Sequence, residues 1–377
     1  MTSTSPKRIL HVVGAMNPGG VETWLMQLLR HVDRNRYRMD FLVHSMETSF
    51  YDNEIRSLGS EVISCPHHRQ PLVYAHHVAN ILRRHGPYDC VHSHVHLFSG
   101  WVLRLAERAG VRLRISHSHS DTSRKYQGPL KRLYATWMRR WIRRHATAGL
   151  ACSRAAAAAL YGSRWESDPR WQVVSYARDL SPFRESADRA SVRAELGIPV
   201  DAFVVGHVGS FTRPKNHPFW LEIATEVARR DADAWFLLVG DGKLRQEAER
   251  RVRQSSLARR VVFAGTRTDV PRLMLGATDC FLFPSLWEGL GLALVEAQAA
   301  GLPCVVADVV PQEADVVRPL LRRLSLLSPI DQWANAVLEF RNVAKPVDRV
   351  SALALVEQSV FNIENGLKQM ESIYRVQ

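Results

Sequence analysis

The chain has 377 residues, of which 46% are apolar and 23% charged, as is typical of a globular protein of two domains. Met1 to Pro6 is polar and no apolar run reaches the roughly 18 residues of a membrane span, so we expect neither a secretory signal nor a membrane segment. The five cysteines are dispersed and form no CxxC pair, so we expect neither a disulfide framework nor a zinc motif. The net charge of +13 implies an anionic partner, and leaves nucleic acid, a lipid surface and a phosphorylated metabolite open.

The first half of the chain alternates apolar strands with helices. A strand at Arg8 to Val13 leads through a turn at Gly14 to Gly20 into an amphipathic helix at Val21 to His31. Further strands are predicted at Met39 to His44, Cys90 to His94, Leu113 to His117 and Thr147 to Cys152. Alternation of this kind predicts a parallel sheet that is covered by helices on both faces.

The turn after the first strand carries two glycines at the start of the predicted helix. It matches neither the GxGxxG fingerprint nor the Walker sequence. Gly19 and Gly20 would allow the backbone to approach a ligand at the helix N terminus, where free N–H groups attract anions. A plain tight turn would have the same sequence, so both interpretations stay open here.

Histidines concentrate at the ends of two first-half strands, in the runs His92-Ser-His94-Val-His96 and His117-Ser-His119. No carboxylate or cysteine stands at a defined ligand spacing, and alternate strand residues are expected on opposite faces, so we do not predict a metal site. We expect instead that one of these histidines donates to a substrate hydroxyl or a leaving phosphate, with His94 and His119 on the acceptor side.

The segment from Leu130 to Arg144 is predicted to be a basic amphipathic helix. Its apolar side would carry Leu130, Leu133, Tyr134, Trp137, Met138 and Trp141, and its basic side Lys131, Arg132, Arg139, Arg140, Arg143 and Arg144. Such a helix can lie on anionic lipid, or its apolar side can face the core while the basic side is solvated. The sequence leaves both alternatives open.

The alternating pattern pauses between Tyr176 and Val200 and starts again at Phe203 to Gly209. Further strands are predicted at Trp235 to Val239, Val261 to Phe263, Cys280 to Phe283 and Cys304 to Val306. We therefore predict an α/β fold with two doubly wound domains, whose crevices at the carboxyl ends of the strands face each other across a cleft.

The predicted domain boundaries are 1–178 for the first domain and 179–355 for the second. The segment from Asp308 to Val350 is predicted to be mixed helix and loop. Ala352 to Tyr374 has an apolar stripe at helical spacing, so residues 356–377 are predicted to form a C-terminal helix that packs back toward the first domain.

A basic turn, with Arg213 and Lys215, follows the first strand of the second half. Both cations would lie beside a diphosphate if the turn at Gly289 held its other side. At an effective dielectric constant of about 20, a cation about 4 Å from a phosphate gains on the order of 4 kcal/mol before desolvation, whereas a helix terminus contributes about 0.3 to 1 kcal/mol. Lys215 should therefore matter more than the helix end, unless the turn is merely a solvated basic loop.

Two more second-half strands end in glycine-containing turns, at Gly240-Asp-Gly and at Gly265-Thr266-Arg267. Either turn by itself would be ordinary. Together they are predicted to line one edge of a pocket, where Thr266 and Arg267 could contact a base through the main chain.

The run from Pro284 to Ala297 joins a buried strand to a helix through Glu288-Gly289-Leu290-Gly291. This turn would direct the first N–H groups of the helix at an anion. Glu296 is seven residues past Gly289 and returns to nearly the same helix face at about 100° per residue. One carboxylate would then stand at each end of a ligand with a phosphate in the middle, which is the layout of a nucleotide sugar.

These motifs resemble those of glycosyltransferase family 4, over most of the chain and most closely from Gly206 to Asp308. The second-half motifs are Gly209-x-Phe-x-x-x-Lys215-Asn-His, Leu-Val-Gly-Asp-Gly-x-Leu-Arg245, Phe-x-Gly265, Pro284-Ser-x-x-Glu288-Gly-Leu and Val295-Glu296-Ala-Gln-Ala-Ala-Gly301-Leu-Pro-Cys. Gly19-Gly20-Val21-Glu22 and Ile115-Ser-His117-Ser-His119 resemble the first-domain motifs of exopolysaccharide and capsular-type members.

The resemblance implies the GT-B fold, retaining transfer from a nucleotide sugar, and no metal or other cofactor. It implies that Lys215 binds the diphosphate, Glu288 the donor sugar and Glu296 the ribose, and that His117 lies beside the transferring sugar. Glu288 and His117 are therefore the catalytic candidates. The family commonly has Arg where this chain has Ser210, so Arg213 would substitute for it. Its Asn-Gly-Ile-Asp-like hinge is replaced by Tyr176-Ala-Arg-Asp179.

We therefore expect a cytoplasmic hexosyltransferase, peripheral at the inner face of the membrane, that moves a sugar from a UDP-sugar to a glycan or lipid-linked acceptor. No nucleic acid is expected as a partner. The alternatives are a sugar-nucleotide epimerase on the same fold and a non-catalytic protein that binds an anionic polymer or membrane.

Overall fold

The computed structural model describes residues 5–120, 128–342 and 346–375. The chain divides into two compact units, one formed by Met1–Arg178 with Ile363–Gln377 and the other by Asp179–Asn362. The chain thus returns to the first unit at Ile363, rather than at residue 356. Among the described residues, no helix combines the length and the apolarity that crossing a membrane requires.

The first unit is a parallel sheet with seven strands in the order β3-β2-β1-β4-β5-β6-β7. Its strands are β1 (Lys7–Val13), β2 (Tyr37–Val43), β3 (Val62–Ser64), β4 (Cys90–Ser93), β5 (Leu113–Ser118), β6 (Ala148–Ala151) and β7 (Trp171–Val173). Its helices are α1 (Gly20–His31), α2 (Asp52–Ser57), α3 (Pro71–Arg84), α4 (Ser99–Arg108), α5 (Pro129–His145), α6 (Arg154–Tyr161) and, after the second unit, α14 (Ile363–Arg375).

The second unit is a parallel sheet with six strands in the order β10-β9-β8-β11-β12-β13. Its strands are β8 (Phe203–Val208), β9 (Ala234–Val239), β10 (Val261–Gly265), β11 (Cys280–Phe283), β12 (Cys304–Ala307) and β13 (Leu321–Leu324). Its helices are α7 (Arg189–Glu195), α8 (His217–Arg230), α9 (Arg245–Arg253), α10 (Val270–Gly276), α11 (Leu292–Ala299), α12 (Ile330–Asn342) and α13 (Arg349–Gln358).

Each sheet has one position where the strand order reverses direction, between β1 and β4 in the first unit and between β8 and β11 in the second. The loops that leave the carboxyl ends of these two strands run to opposite sides, and the crevice between them is the usual ligand position in an open α/β sheet. In each unit, the expected ligand position is therefore the crevice at the carboxyl edge of the sheet.

The prediction of two doubly wound α/β domains is confirmed, and each predicted strand corresponds to an observed one. The short strands β3, β7 and β13 are absent from the sequence interpretation. The prediction of one continuous C-terminal helix is wrong, because α13 ends at Gln358 and α14 begins at Ile363. The break between them is where the chain passes from the second unit back to the first. Of the predicted segment, Val376 and Gln377 lie outside the described residues.

Helix α14 docks in the first unit through Gly366 and Tyr374. Gly366 is buried so closely against Ala177 that an added Cβ would overlap the Cβ of that residue. Tyr374, two percent exposed, reaches His92 on β4. The C-terminal segment thus contributes directly to the interior of the first unit.

Candidate functional site

In the second unit, the carboxyl ends of β8, β9 and β10 meet through glycines. Gly240 has a φ of +135°, and a Cβ there would overlap the carbonyl oxygen of Gly209. Its own N–H donates to the Gly265 carbonyl oxygen at 2.8 Å. A side chain at Gly240 would therefore push apart the loops that carry the candidate donor residues.

Lys215 and Glu288 lie together at the crevice between β8 and β11. The Lys215 ammonium donates to Glu288 Oε1 at 2.7 Å, and the Ser285 hydroxyl donates to the same oxygen at 2.7 Å. Lys215 Nζ also lies 4.9 Å from the centre of the Phe283 ring. The sequence predicts both charged residues as ligands of one molecule, and the structure brings them into direct contact.

The loops that carry this pair are joined by main-chain contacts. Leu286 N–H donates to the Pro214 carbonyl oxygen at 2.7 Å, and the Asn216 side-chain amide donates to the Pro284 carbonyl oxygen at 3.1 Å. Asn216 has a φ of +55°, a conformation that asparagine tolerates better than most residues. These contacts fix the approach of Lys215 to Glu288.

The turn after Glu288 leads into α11 through Gly289, Leu290 and Gly291. Gly291 precedes the helix with a φ of +92°, which favours glycine, and Leu290 is buried. Glu296 lies half-buried on α11. The turn therefore presents the N-terminal end of a helix beside the ion pair, as the sequence predicts.

Three other predicted donor residues have different surroundings. Arg213 is exposed in the short helical turn that contains Lys215, and Thr266 is exposed beyond β10. Arg267 donates to Asp269 at 2.7 Å and to Glu195 at 2.8 Å, and these carboxylates raise its pKa. The guanidinium of Arg267 is thus occupied by the second unit's own side chains.

In the first unit, the glycine turn adjoins a half-buried carboxyl group. Gly19 caps α1 and Gly20 is its first residue. A Cβ on Gly19 would overlap Oε2 of Glu22, so the carboxyl group lies directly over this turn. Burial raises the pKa of Glu22 to about 7, so this group can gain or lose a proton near neutral pH.

The first unit's histidines gather into one cluster at the ends of β1, β4 and β5, which we call the histidine cluster. Its members are His11, His92, His94, His117 and His119. The expectation that alternate histidines point to opposite faces is wrong, because residues two apart share a face of a strand. The ring centres of the pairs His92–His94 and His117–His119 are 4.2 and 4.3 Å apart.

Two hydrogen-bonded chains run through the cluster. In one, His94 Nε2 lies 3.0 Å from His11 Nδ1, His94 Nδ1 lies 2.9 Å from His119 Nε2, and His119 Nδ1 bonds the Tyr176 hydroxyl. In the other, His117 Nδ1 lies 3.1 Å from His92 Nε2, and His92 Nδ1 lies 2.9 Å from the Tyr374 hydroxyl. Each chain ends on a buried tyrosine.

The cluster is held neutral. Burial, which disfavours the charged imidazolium, lowers the pKa of His11 and His119 to about 3. Burial and then the neighbouring histidines lower the pKa of His92, His94 and His117 well below the usual value. At neutral pH these side chains are therefore uncharged donors and acceptors.

The sequence does not identify several residues of these sites. Ser285 and Phe283, which contact the Lys215–Glu288 pair, carry no signal beyond their position in the motif. His11 stands three residues before Gly14 near the end of a strand, and that position is a signal that it belongs to the site. Tyr176 was interpreted only as part of the hinge.

Two family models match the chain. The model "Glycosyl transferase 4-like domain" matches residues 19–177, and the model "Glycosyl transferases group 1" matches residues 188–348. The putative glycosyltransferase EpsF of Bacillus subtilis is 36% identical over 347 residues, which are 91% of this chain and 90% of that protein. An Escherichia coli UDP-Gal:alpha-D-GlcNAc-diphosphoundecaprenol alpha-1,3-galactosyltransferase is 29% identical over 257 residues, 67% of this chain and 66% of that protein.

The fold is also found in solved structures. Anabaena Alr3699/HepE, solved with UDP and glucose, superposes with a TM-score of 0.81 at 20% identity, over 98% of this chain and 99% of that one. WaaG, a glycosyltransferase of lipopolysaccharide biosynthesis, superposes with a TM-score of 0.67 at 18% identity, over 97% of this chain and 95% of that one. These similarities establish the fold. The reaction depends on the residues of the site.

The neutral cluster predicts a pH dependence of stability. The unfolded histidines have a pKa near 6.5 and the folded ones a much lower pKa, so the unfolded state binds more protons below about pH 6.5. Stability should therefore be complete above that pH and fall as the pH decreases. At about pH 5, each histidine that stays neutral in the folded state should lower the free energy of unfolding by about 2 kcal/mol relative to neutral pH.

Denaturant unfolding at about pH 7.5 and pH 5 would measure this loss. His94→Asn should be less sensitive to acid by roughly the contribution of one histidine, because an amide does not titrate. His31→Asn, at an exposed site on α1, should leave the pH dependence unchanged. Equal acid sensitivity of His94→Asn and the unaltered chain would contradict the assignment.

Proposed function

The chain belongs to the family 4-type glycosyltransferases of the GT-B fold, and we propose that it is a retaining hexosyltransferase that uses a UDP-sugar and a glycan or lipid-linked acceptor in polysaccharide biosynthesis. The observation that carries the proposal is the contact between Lys215 and Glu288 at the carboxyl edge of the second sheet. It combines a cation for phosphate with a carboxylate for sugar hydroxyls in one crevice.

The ion pair suggests how the donor binds. Lys215 and Glu288 have side chains that are 17% and 11% exposed, so each charge is partly desolvated and needs a partner when the site is empty. A diphosphate carries more negative charge than one carboxylate and would draw Lys215 away. Glu288, still held by Ser285, would then be available to accept hydrogen bonds from the sugar.

No metal is needed at the diphosphate in this proposal. Lys215, the nearby Arg213 and the N-terminal end of α11 supply positive charge and N–H donors where other transferases use a divalent ion. Glu296 would bind the ribose and the Gly240 turn would border the base. His117, with its neutral imidazole, would act on the sugar that is transferred.

The relatives support the nucleotide and the acceptor class. HepE was solved with UDP and with UDP-glucose, and the Escherichia coli relative is named for transfer from UDP-Gal to a diphosphoundecaprenol-linked sugar. EpsF, which matches nearly the whole chain, is a putative glycosyltransferase. We propose the same donor nucleotide and a lipid-linked or glycan acceptor for this chain.

Helix α5 favours an acceptor at a membrane. Leu130, Leu133 and Trp137 are 82%, 68% and 51% exposed, whereas Ala135, Met138 and Ile142 form the buried side. The predicted apolar side is thus partly outward, next to the exposed cations Lys131 and Arg132. We propose that this surface rests on the anionic inner face of the cell membrane.

The first prediction concerns nucleotide affinity. Lys215→Ala should weaken UDP binding more than about tenfold, a loss above about 1.4 kcal/mol, because the diphosphate loses its closest cation. Titration calorimetry in chelator would measure it, with Arg259→Ala, at an exposed cation before the amino end of β10, as the matched control. Unchanged affinity of Lys215→Ala would refute the diphosphate assignment.

A second prediction separates binding from transfer. Glu288→Gln should reduce acceptor-dependent UDP release more than about a hundredfold, while UDP affinity is kept or increased because Lys215 loses an ionic partner. The assay is UDP release from a panel of UDP-sugars with and without a crude lipid acceptor, and thermal unfolding checks the fold.

Glu339→Gln, at an exposed ion pair with Arg322, is the control for a lost surface carboxylate. UDP release that needs no acceptor in the unaltered chain, or interconversion of the sugar, would favour an epimerase. Full transfer activity of the Glu288→Gln variant would contradict the assignment of Glu288 to the donor sugar.

A third prediction tests the membrane surface. Leu130→Glu with Leu133→Glu should lower binding to anionic vesicles more than about tenfold, because two apolar side chains, each contributing about 1.5–3 kcal/mol on burial, are replaced by negative charges. Co-sedimentation at low salt would measure binding. Leu327→Glu, at a 94% exposed leucine of the second unit, should have no such effect. Vesicle binding equal to that of the unaltered chain would exclude α5 as the contact.

A further inference from the structure

Arg245, the first residue of α9, lies beside the carboxyl end of β10. A Cβ on Gly265, the last residue of that strand, would lie 3.3 Å from Nη1 of Arg245. Gly265 also has a φ of +70°, a conformation that favours glycine. Glycine thus lets the guanidinium lie next to the main chain of the strand end, with no side chain between them.

Two carboxylates fix the orientation of this guanidinium. Arg245 Nε donates to Glu249 Oε1 at 2.7 Å, and Nη1 donates to Asp241 Oδ2 at 3.0 Å. The hydrogen bond to Glu249 and then the one to Asp241 raise the pKa of Arg245, so the group stays charged. The side chain keeps 26% of its surface exposed. Because N–H groups donate in the plane of a guanidinium, both contacts use its edge and neither covers its faces.

The two turns that flank Arg245 are those where a base is expected. Residues 240–244 lead from β9 into α9, and residues 266–269 lead from β10 into α10. Thr266, a predicted main-chain contact of the base, directly follows the glycine beside Arg245. Main-chain N–H and C=O groups can bind the edge of a base, but they cannot cover its face.

Arg245 supplies a planar group for that face. Neither turn contains an aromatic residue. The other planar cation, Arg267, is held by Asp269 and by Glu195 of α7. A guanidinium stacks on flat π systems, and one whose orientation is already fixed loses little side-chain freedom when it does so.

We propose that Arg245 recognises the nucleobase of the donor, with its guanidinium stacked on the face of the ring. The inference rests on the proposed function, because it assumes a nucleoside diphosphate at the carboxyl edge of the second sheet. It adds a side-chain contact to the main-chain contacts that are predicted for the base. Its effect is on the affinity for the nucleotide, and the diphosphate is bound separately by Lys215.

The ion pairs of Arg245 contribute little to the fold. Both partners stand four residues away and are partly exposed, the Asp241 side chain by 55% and the Glu249 side chain by 27%. Ion pairs of this kind have small effects on stability. Glu249 also lies 3.9 Å from a second arginine, Arg253. Removal of the Arg245 guanidinium should therefore leave the second unit folded.

The test compares the affinity of the full chain for UDP with its affinity for inorganic pyrophosphate, which has no base. Titration calorimetry measures UDP binding, and competition against UDP measures the weaker binding of pyrophosphate. Arg245→Ala should lower the preference for UDP over pyrophosphate about tenfold, because only UDP has a ring to stack on. A general effect of the lost charge would weaken both ligands and leave this ratio unchanged.

Arg245→Lys keeps the charge without the plane, so it should lower the preference more than about threefold. It also serves if Arg245→Ala fails to fold, which thermal unfolding would show. Arg253→Ala removes a 67% exposed arginine at the other end of α9, and as the matched control it should leave the preference unchanged.

The outcomes separate this inference from the proposed function. If the unaltered chain binds UDP and the Arg245 variants keep its preference for UDP over pyrophosphate, the base contact is overturned and the donor site stands. Equal losses of affinity for both ligands would also overturn it, because they would assign Arg245 to the placement of the turns or to general electrostatics. Absence of UDP binding by the unaltered chain would overturn the proposed function and this inference with it.

Discussion

Parallel strand direction is the constraint on which both candidate sites depend. In a parallel sheet every carboxyl end lies at the same edge, and a reversal of strand order leaves a crevice there. The reversal lies between β1 and β4 in one unit and between β8 and β11 in the other. Residues far apart in sequence, such as Lys215 and Glu288, therefore meet without any long loop to carry them. Gly240 permits the close approach of two strand ends, because a Cβ there would overlap the Gly209 carbonyl oxygen.

The two edges handle buried polarity in opposite ways. The second unit keeps a charged pair, in which Lys215 and Glu288 neutralise each other. The first unit keeps a set of neutral rings, in which burial removes the charge and hydrogen bonds join neighbouring imidazoles. Ion pairing and neutrality are thus two ways of avoiding an uncompensated charge inside the protein.

Much of this could be predicted because the signals are local. The strand–turn–helix runs around Gly19, Lys215 and Glu288 show the period of a buried strand followed by a helix start, and all three lie where expected. The strands β3, β7 and β13 are short and partly polar, so periodicity does not reveal them. The ion pair between Arg267 and Glu195 joins residues 72 positions apart, so the sequence does not show it, and the predicted main-chain contact of Arg267 with a base stays a prediction. The convergence of the histidines depends on strand register, which sets His11 beside His92 and which single-strand reasoning does not supply.

Long-range contacts also explain why the ends of the histidine network were not foreseen. Tyr176 stands just before Arg178, the last residue of the first unit's main stretch, and Tyr374 lies on α14, which begins where the chain returns at Ile363. The Ile363 N–H donates to the Arg178 carbonyl oxygen at 2.9 Å, so the two crossing segments are tied together. Both hydroxyls that terminate the histidine chains are thus supplied by these segments. A change in backbone geometry at this crossing would alter the tyrosine–histidine contacts, and with them the nitrogen of His117 that carries the proton.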